Sequence, residues 1–142
     1  MEVSQVRRQL KAAIDASRER AAKRRERTAE AERTYETFLA DVATPVARQL
    51  ANALKVEGYS FTVFTPGNGL RLASDRTRDD FIDLELDTTG DRPEVMARVS
   101  QERGSRIIDE VMPVKRCANP EEISEEEFLD FMVGALEPWL ER

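Results

Sequence analysis

Histidine is absent from the 142 residues, and cysteine occurs once, as Cys117. The first absence removes the side chain that changes charge near neutral pH, so acid–base chemistry would rest on carboxylates or a thiol in a tuned environment. The neighbouring cations Lys115 and Arg116 would favour a thiolate at Cys117, but no histidine is available as its base, so Cys117 is read as an incidental linker thiol. A lone cysteine cannot close an internal disulfide, which agrees with a reducing compartment. No run approaches the roughly 20 apolar residues of a membrane helix, so no membrane association is expected. Arg7, Arg8 and Lys11 interrupt the N-terminus where a secretory signal needs an apolar core, and cytoplasmic residence is the expectation.

Other signatures are missing too. There is no G-x-S-x-G elbow, dinucleotide fingerprint or cysteine pair. Pro66-Gly67-Asn68-Gly69 is glycine-rich, but it lacks the lysine of a phosphate loop and precedes no helix, so it reads as a hairpin turn. No enzyme activity, cofactor or metal is expected. Between Ser17 and Thr34 the chain has no Val, Ile, Leu, Phe, Met or Trp. That gap divides the chain into a charged helical arm, residues 1–34, and a core domain, residues 35–142.

What is present is a change of hydrophobic period. Tyr59, Phe61 and Val63 alternate with Ser60 and Thr62, and Ile82, Leu84 and Leu86 alternate with Asp83, Glu85 and Asp87. A period of two puts one set on each face of a strand. Five such runs are read, at 59–65, 70–75, 80–88, 94–100 and 106 to about 112, with Leu70, Leu72, Val95, Ala97 and Val99 facing inward. Turns are placed at 66–69, 76–79, 89–93 and 101–105, and Pro113 marks the end or edge of the last strand. This is an antiparallel meander with one wet face.

Before the sheet, strong helix formers dominate from Met1 to Glu57. Tyr35, Phe38, Leu39, Val42, Val46, Leu50, Ala53 and Leu54 make a core-facing stripe. Thr44-Pro45 reads either as the cap of a new helix or as a bend, and the unbroken phase through Val42, Val46 and Leu50 favours a bend or tight joint. Gly58 ends the helix as a left-handed cap. Ser124 and Glu127 form a capping box for a last helix, 124–140. Its apolar face holds Phe128, Phe131, Met132, Ala135, Leu136, Trp139 and Leu140, with Pro138 loosening the final turn. The fold class is α+β: a long N-terminal helix bent near Pro45, a five-stranded antiparallel meander, and a C-terminal helix packed on one sheet face.

Charge is unevenly spread. Residues 1–27 carry nine Arg or Lys against four acids, a net of +5, and residues 119–142 carry eight acids and one Arg, a net of −7. The two ends could meet each other, or the basic end an acidic partner. The acids Asp79, Asp80, Asp83, Glu85 and Asp87 do not converge as a metal site requires, since 83, 85 and 87 line one strand face and the spacing is not that of an EF-hand. Arg71 and Arg98 on the flanking strands make cross-strand ion pairs the expectation there.

An apolar stripe of Val3, Val6, Leu10 and Ile14 opens the first helix. A helix running to Pro45 would extend ~65 Å, leaving this stripe nothing of its own chain to bury against. The expectation is therefore an interaction or scaffold protein that forms a homo-oligomer through a coiled-coil-like seam of those four residues, with the acidic C-terminal helix as a charge partner. A second reading is a nucleic-acid contact through Arg18, Arg20, Lys23, Arg24, Arg25 and Arg27, although interleaved acids and helical spacing spread these bases round the cylinder. In size, acidity and closing amphipathic helix the chain is also similar in bulk to the small dimeric α/β chaperones of type III secretion. That likeness implies a non-enzymatic protein-binding role, covers no motif, and does not extend to the long first helix. A ligand pocket between sheet and helices is left open by the sequence.

Overall fold

The computed structural model describes residues 1–90 and 92–141. The chain runs as helix α1 (Val3–Phe38), a π-helical turn (Leu39–Ala43), helix α2 (Thr44–Val56), strands β1 (Phe61–Phe64), β2 (Leu70–Ser74), β3 (Phe81–Asp87), β4 (Glu94–Arg103) and β5 (Arg106–Pro113), a 3₁₀ turn (Pro120–Glu122) and helix α3 (Glu125–Leu140). The strands form one antiparallel sheet in sequence order. This is the α+β meander that the alternating pattern predicts. The turn at 89–93 includes Asp91, which lies outside the described residues.

The register carries the inward face across the sheet. Val63 opposes Leu72, Leu72 opposes Ile82 and Ile82 opposes Val99. Leu70, Leu84 and Ala97 form the next row. These positions on β2–β4 are buried, as is Val95. α2, α3 and the end of α1 cover them, with Phe38 and Phe128 edge-to-face at 5.6 Å and Phe61 and Trp139 edge-to-face at 5.8 Å. Aromatic pairs of this geometry add about 0.5–1.5 kcal/mol to their area burial.

No loop interrupts the first 54 helical residues, because Phe38, Ala43 and Thr44 all keep right-handed helical backbone angles. What sits before Pro45 is a widened turn, in which the Thr44 N–H reaches back five residues to the Leu39 carbonyl. In a regular helix the Pro45 ring would strike the carbonyl of Asp41. One extra residue in a π-turn is a known way of accommodating such an interruption. The extra residue also advances the buried face. Val42 and Val46, placed on the core stripe from the sequence, are only half-buried, while Ala43 and Ala47 are fully covered.

The helix then ends in a Schellman motif. Tyr59 N–H donates to the Leu54 carbonyl, Gly58 N–H donates to that of Lys55, and Gly58 takes φ +92°. The β4–β5 turn is tighter than the 101–105 read from sequence. Residues 101–103 continue β4, and Gly104 (φ +65°) and Ser105 alone connect the pair. Ser124 caps α3 reciprocally with Glu127. Pro138 stays inside the helix, and the carbonyl its ring faces belongs to Gly134, four residues earlier.

Four carboxyls are held below their ordinary range by hydrogen bonds: Asp75 by the hydroxyls of Ser60 and Thr62, Asp87 by Thr89, Asp109 by Arg98, and Glu127 by Lys115 and the Ser124 N–H. A carboxyl whose folded pKa lies below its unfolded value stabilises above the unfolded value and loses that contribution as pH falls through the folded one. With no histidine to titrate, the thermal midpoint is expected to be flat from about pH 8 to 5.5 and to fall below about pH 4.5. A midpoint that falls between pH 8 and 5.5 in calorimetry would contradict this.

Candidate interaction surface

Burial along α1 begins at Ala31, followed by Tyr35 and Phe38. Residues 3–30 are exposed except for half-buried Ala16, Ala21, Ala22 and Thr28. At 1.5 Å per residue this stretch projects ~40 Å beyond the body. Its helical state is intelligible: the body fixes residues 31–38, so the extension adds turns to an existing helix and avoids the nucleation cost. Alanine, arginine and glutamate then sustain it. Glu19 and Lys23 pair at 3.4 Å but are 70% and 64% exposed, so the pair contributes little.

The outer end is poorly finished. Glu2 occupies the N-cap position without a side-chain cap, and the first turn has no acidic residue. A helix left with bare N–H groups at this end frays unless something packs on it. Near that end the stripe is open to solvent: Val3 is 72% exposed, Val6 47%, Leu10 59% and Ile14 39%. With ~100° of rotation per residue, Val6 falls in the sector that Ala31, Tyr35 and Phe38 turn toward the core, Leu10 and Val3 within about 40° of its edge, and Ile14 about 60° from it. The helix thus carries one apolar stripe whose inner part is covered by its own body and whose outer part is not.

Arg18, Arg20, Lys23, Arg24, Arg25 and Arg27 are all exposed. They point to several sides of the helix, and the structure does not gather them on one stripe. Lys23 is engaged with Glu19, Arg20 donates to Ser17 Oγ, and Arg27 donates to the Lys23 carbonyl.

At the base of α1 a cleft of about 380 Å³ opens at the rim of the sheet, with Glu32, Tyr35, Glu36 and Glu85 among its lining. Tyr35 is 2% exposed, and its hydroxyl has no hydrogen-bond partner among the described residues. Burial, and then the negative charge of Glu85, raise its pKa well above the ordinary phenol value, so it remains neutral. Tyr35 therefore acts as the apolar anchor of the helix, stacked on Phe38.

The outer sheet face carries the expected charge pairs with one change of partner. Arg71 forks onto Asp83 at 2.6 and 2.7 Å and lies 4.1 Å over the Phe81 ring. Arg98 stands opposite Asp83 in register but donates to Asp109 of β5, at 3.0 Å from Nε. Asp80 departs from the acidic row altogether: it is buried and accepts from Thr77 Oγ1 and the Glu102 N–H. No cluster of metal-ligating side chains occurs among the described residues. Cys117 is exposed, with φ +54°.

α3 adds a feature that its sequence did not single out. Leu129 (41%), Val133 (42%) and Leu140 (40%) are exposed along one edge of the buried face. Glu126, Asp130 and Glu137 lie exposed beside them. The apolar sector of α3 is wide and continuous, so periodicity alone could not show which edge the body leaves open.

No helix among the described residues is long and apolar enough to cross a membrane. Comparisons with protein families, curated proteins and solved structures give no match for this chain.

The unpaired Tyr35 hydroxyl leads to an expected outcome. A buried hydroxyl without a partner forfeits about 1–3 kcal/mol of hydration. Tyr35→Phe should leave stability to urea unchanged or raise it by about 1 kcal/mol. A loss of more than about 1 kcal/mol would mean that the hydroxyl makes a bond on which the fold depends.

Proposed function

We propose that this protein is a non-enzymatic interaction or scaffold protein that self-associates through the outer part of α1. The observation that carries this reading is the exposed stripe of Val3, Val6, Leu10 and Ile14 on a helix end with no side-chain cap. Taking one such side chain from full exposure to full burial contributes about 1.5–3 kcal/mol, and about half of that is still to be gained at each of these four, enough to offset part of the cost of association. Rigidity matters as well: a helix held at its base presents the stripe with little ordering left to do.

Leu10→Glu combined with Ile14→Glu places charge in the seam at sites exposed in the single chain. The wild-type chain is expected to show a concentration-dependent mass above one chain in light scattering. The double variant should give the mass of a monomer with unchanged circular dichroism beyond the first helical turns. A wild-type chain that remains a monomer at high micromolar concentration removes the reading.

The exposure of Arg18, Arg20, Lys23, Arg24, Arg25 and Arg27 supports a second reading, association with nucleic acid. It predicts retention of duplex DNA or RNA at low salt, with affinity falling steeply as salt rises. No retention at ~50 mM salt would eliminate it.

A further inference from the structure

The self-association reading leaves open which surface covers the stripe, and α3 has the matching pattern. Val3, Leu10 and Ile14 follow one another at steps of seven and then four residues. Read from its C-terminal end, α3 repeats those steps with Leu140, Val133 and Leu129. All three are exposed in the single chain. Two helices with the same steps in opposite directions mesh when they lie antiparallel.

The charges select the same orientation. On α1, Arg7, Lys11 and Arg18 form a basic rail roughly 75° round from the stripe. On α3, Glu126, Asp130 and Glu137 form an acidic rail roughly 60° round from theirs, in the same rotational sense. When two helices pack face to face, flanks of the same sense meet only if the helices are antiparallel. In the register that pairs Val3 with Leu140, Leu10 with Val133 and Ile14 with Leu129, Arg7 comes within one residue of the level of Glu137, Arg18 within one of Glu126 and Lys11 within two of Asp130. All six charged residues are exposed, and none of their side chains has an ion-pair partner among the described residues. Between residues 3 and 14 the opposite flank of the stripe holds Gln9 and Ala13, uncharged residues that would turn toward the body that supports α3, with Glu2 and Arg20 on that flank beyond either end.

The stripe cannot fold back onto its own α3, because α1 is one helix from Val3 to Phe38 and carries it ~25–40 Å away from the body. We propose that the outer part of α1 docks antiparallel on the exposed edge of α3 in a second copy of the chain. This inference rests on the self-association reading and adds the identity of the receiving surface. A reciprocal exchange of the helices between two copies makes the contact twice and closes the assembly.

The test is a charge-reversal cycle in the full chain, read as the self-association constant by sedimentation equilibrium at low salt. Arg7→Glu with Lys11→Glu, and separately Asp130→Lys with Glu137→Lys, are each expected to weaken association roughly tenfold. Combining the four substitutions should restore it to within about threefold of wild type, which also shows that each substituted surface folds. If wild type associates and Leu10→Glu with Ile14→Glu abolishes it, yet reversal on α3 changes nothing or the combination fails to recover, α1 pairs with another surface. The present inference is then overturned while self-association stands. If wild type is a monomer throughout, both fall.

Discussion

Covering the inward face of the sheet is the constraint on which the rest of the molecule depends. Leu70, Leu72, Ile82, Leu84, Val95, Ala97 and Val99 come from three neighbouring strands, and no strand can bury them alone. The cover is helical and comes from both ends of the chain: the last turns of α1, the π-turn and α2 from one side, α3 from the other. Phe38 against Phe128 is one of the places where the two meet. The long helix is therefore fixed at its inner end by the same contacts that close the core.

Everything distinctive about the outer end of α1 follows from that anchoring. A helix of about 28 residues without a core would be marginal on its own. Grown from a fixed base, it extends at little cost, but its stripe has no cover among the described residues and its N-terminal N–H groups lack a side-chain cap. The interior compensates elsewhere. Ala43 and Ala47 let the helix lie close to its neighbours, and the widened turn before Pro45 brings them to face inward. The buried acid Asp80 ties the loop before β3 to β4 through the Glu102 N–H, beside the Ser100 hydroxyl bonded to the Asp79 carbonyl.

Much of this was legible in the amino-acid order because the signals are local. Alternation marked each strand, glycines at 58 and 104 marked a cap and a turn, and Ser124 with Glu127 marked the start of α3. What escaped depends on information that periodicity does not contain. A π-turn advances the helix by one residue with only Pro45 to hint at it, so Ala43 and Ala47 are the deepest positions while Val42 and Val46 stay half-buried against the same core. Gln101-Glu102-Arg103 carries no alternating apolar signal, yet it pairs with β5 because Gly104 and Ser105 suffice for the turn. Arg98 chose Asp109 over Asp83, a choice set by geometry across three strands. Likewise, the continuous apolar sector of α3 concealed that Leu129, Val133 and Leu140 are left uncovered. The candidate surface was thus half visible: its stripe could be read from spacing, the uncovered edge of α3 only from burial.

The central claim is that residues 3–14 are covered by another copy of the chain. Amide hydrogen exchange, followed residue by residue at two protein concentrations about a hundredfold apart, addresses it directly. The account predicts that protection of residues 3–14 rises with concentration, while protection of the sheet amides in β2–β4 does not change. Exchange across residues 3–14 that is fast and independent of concentration would contradict it.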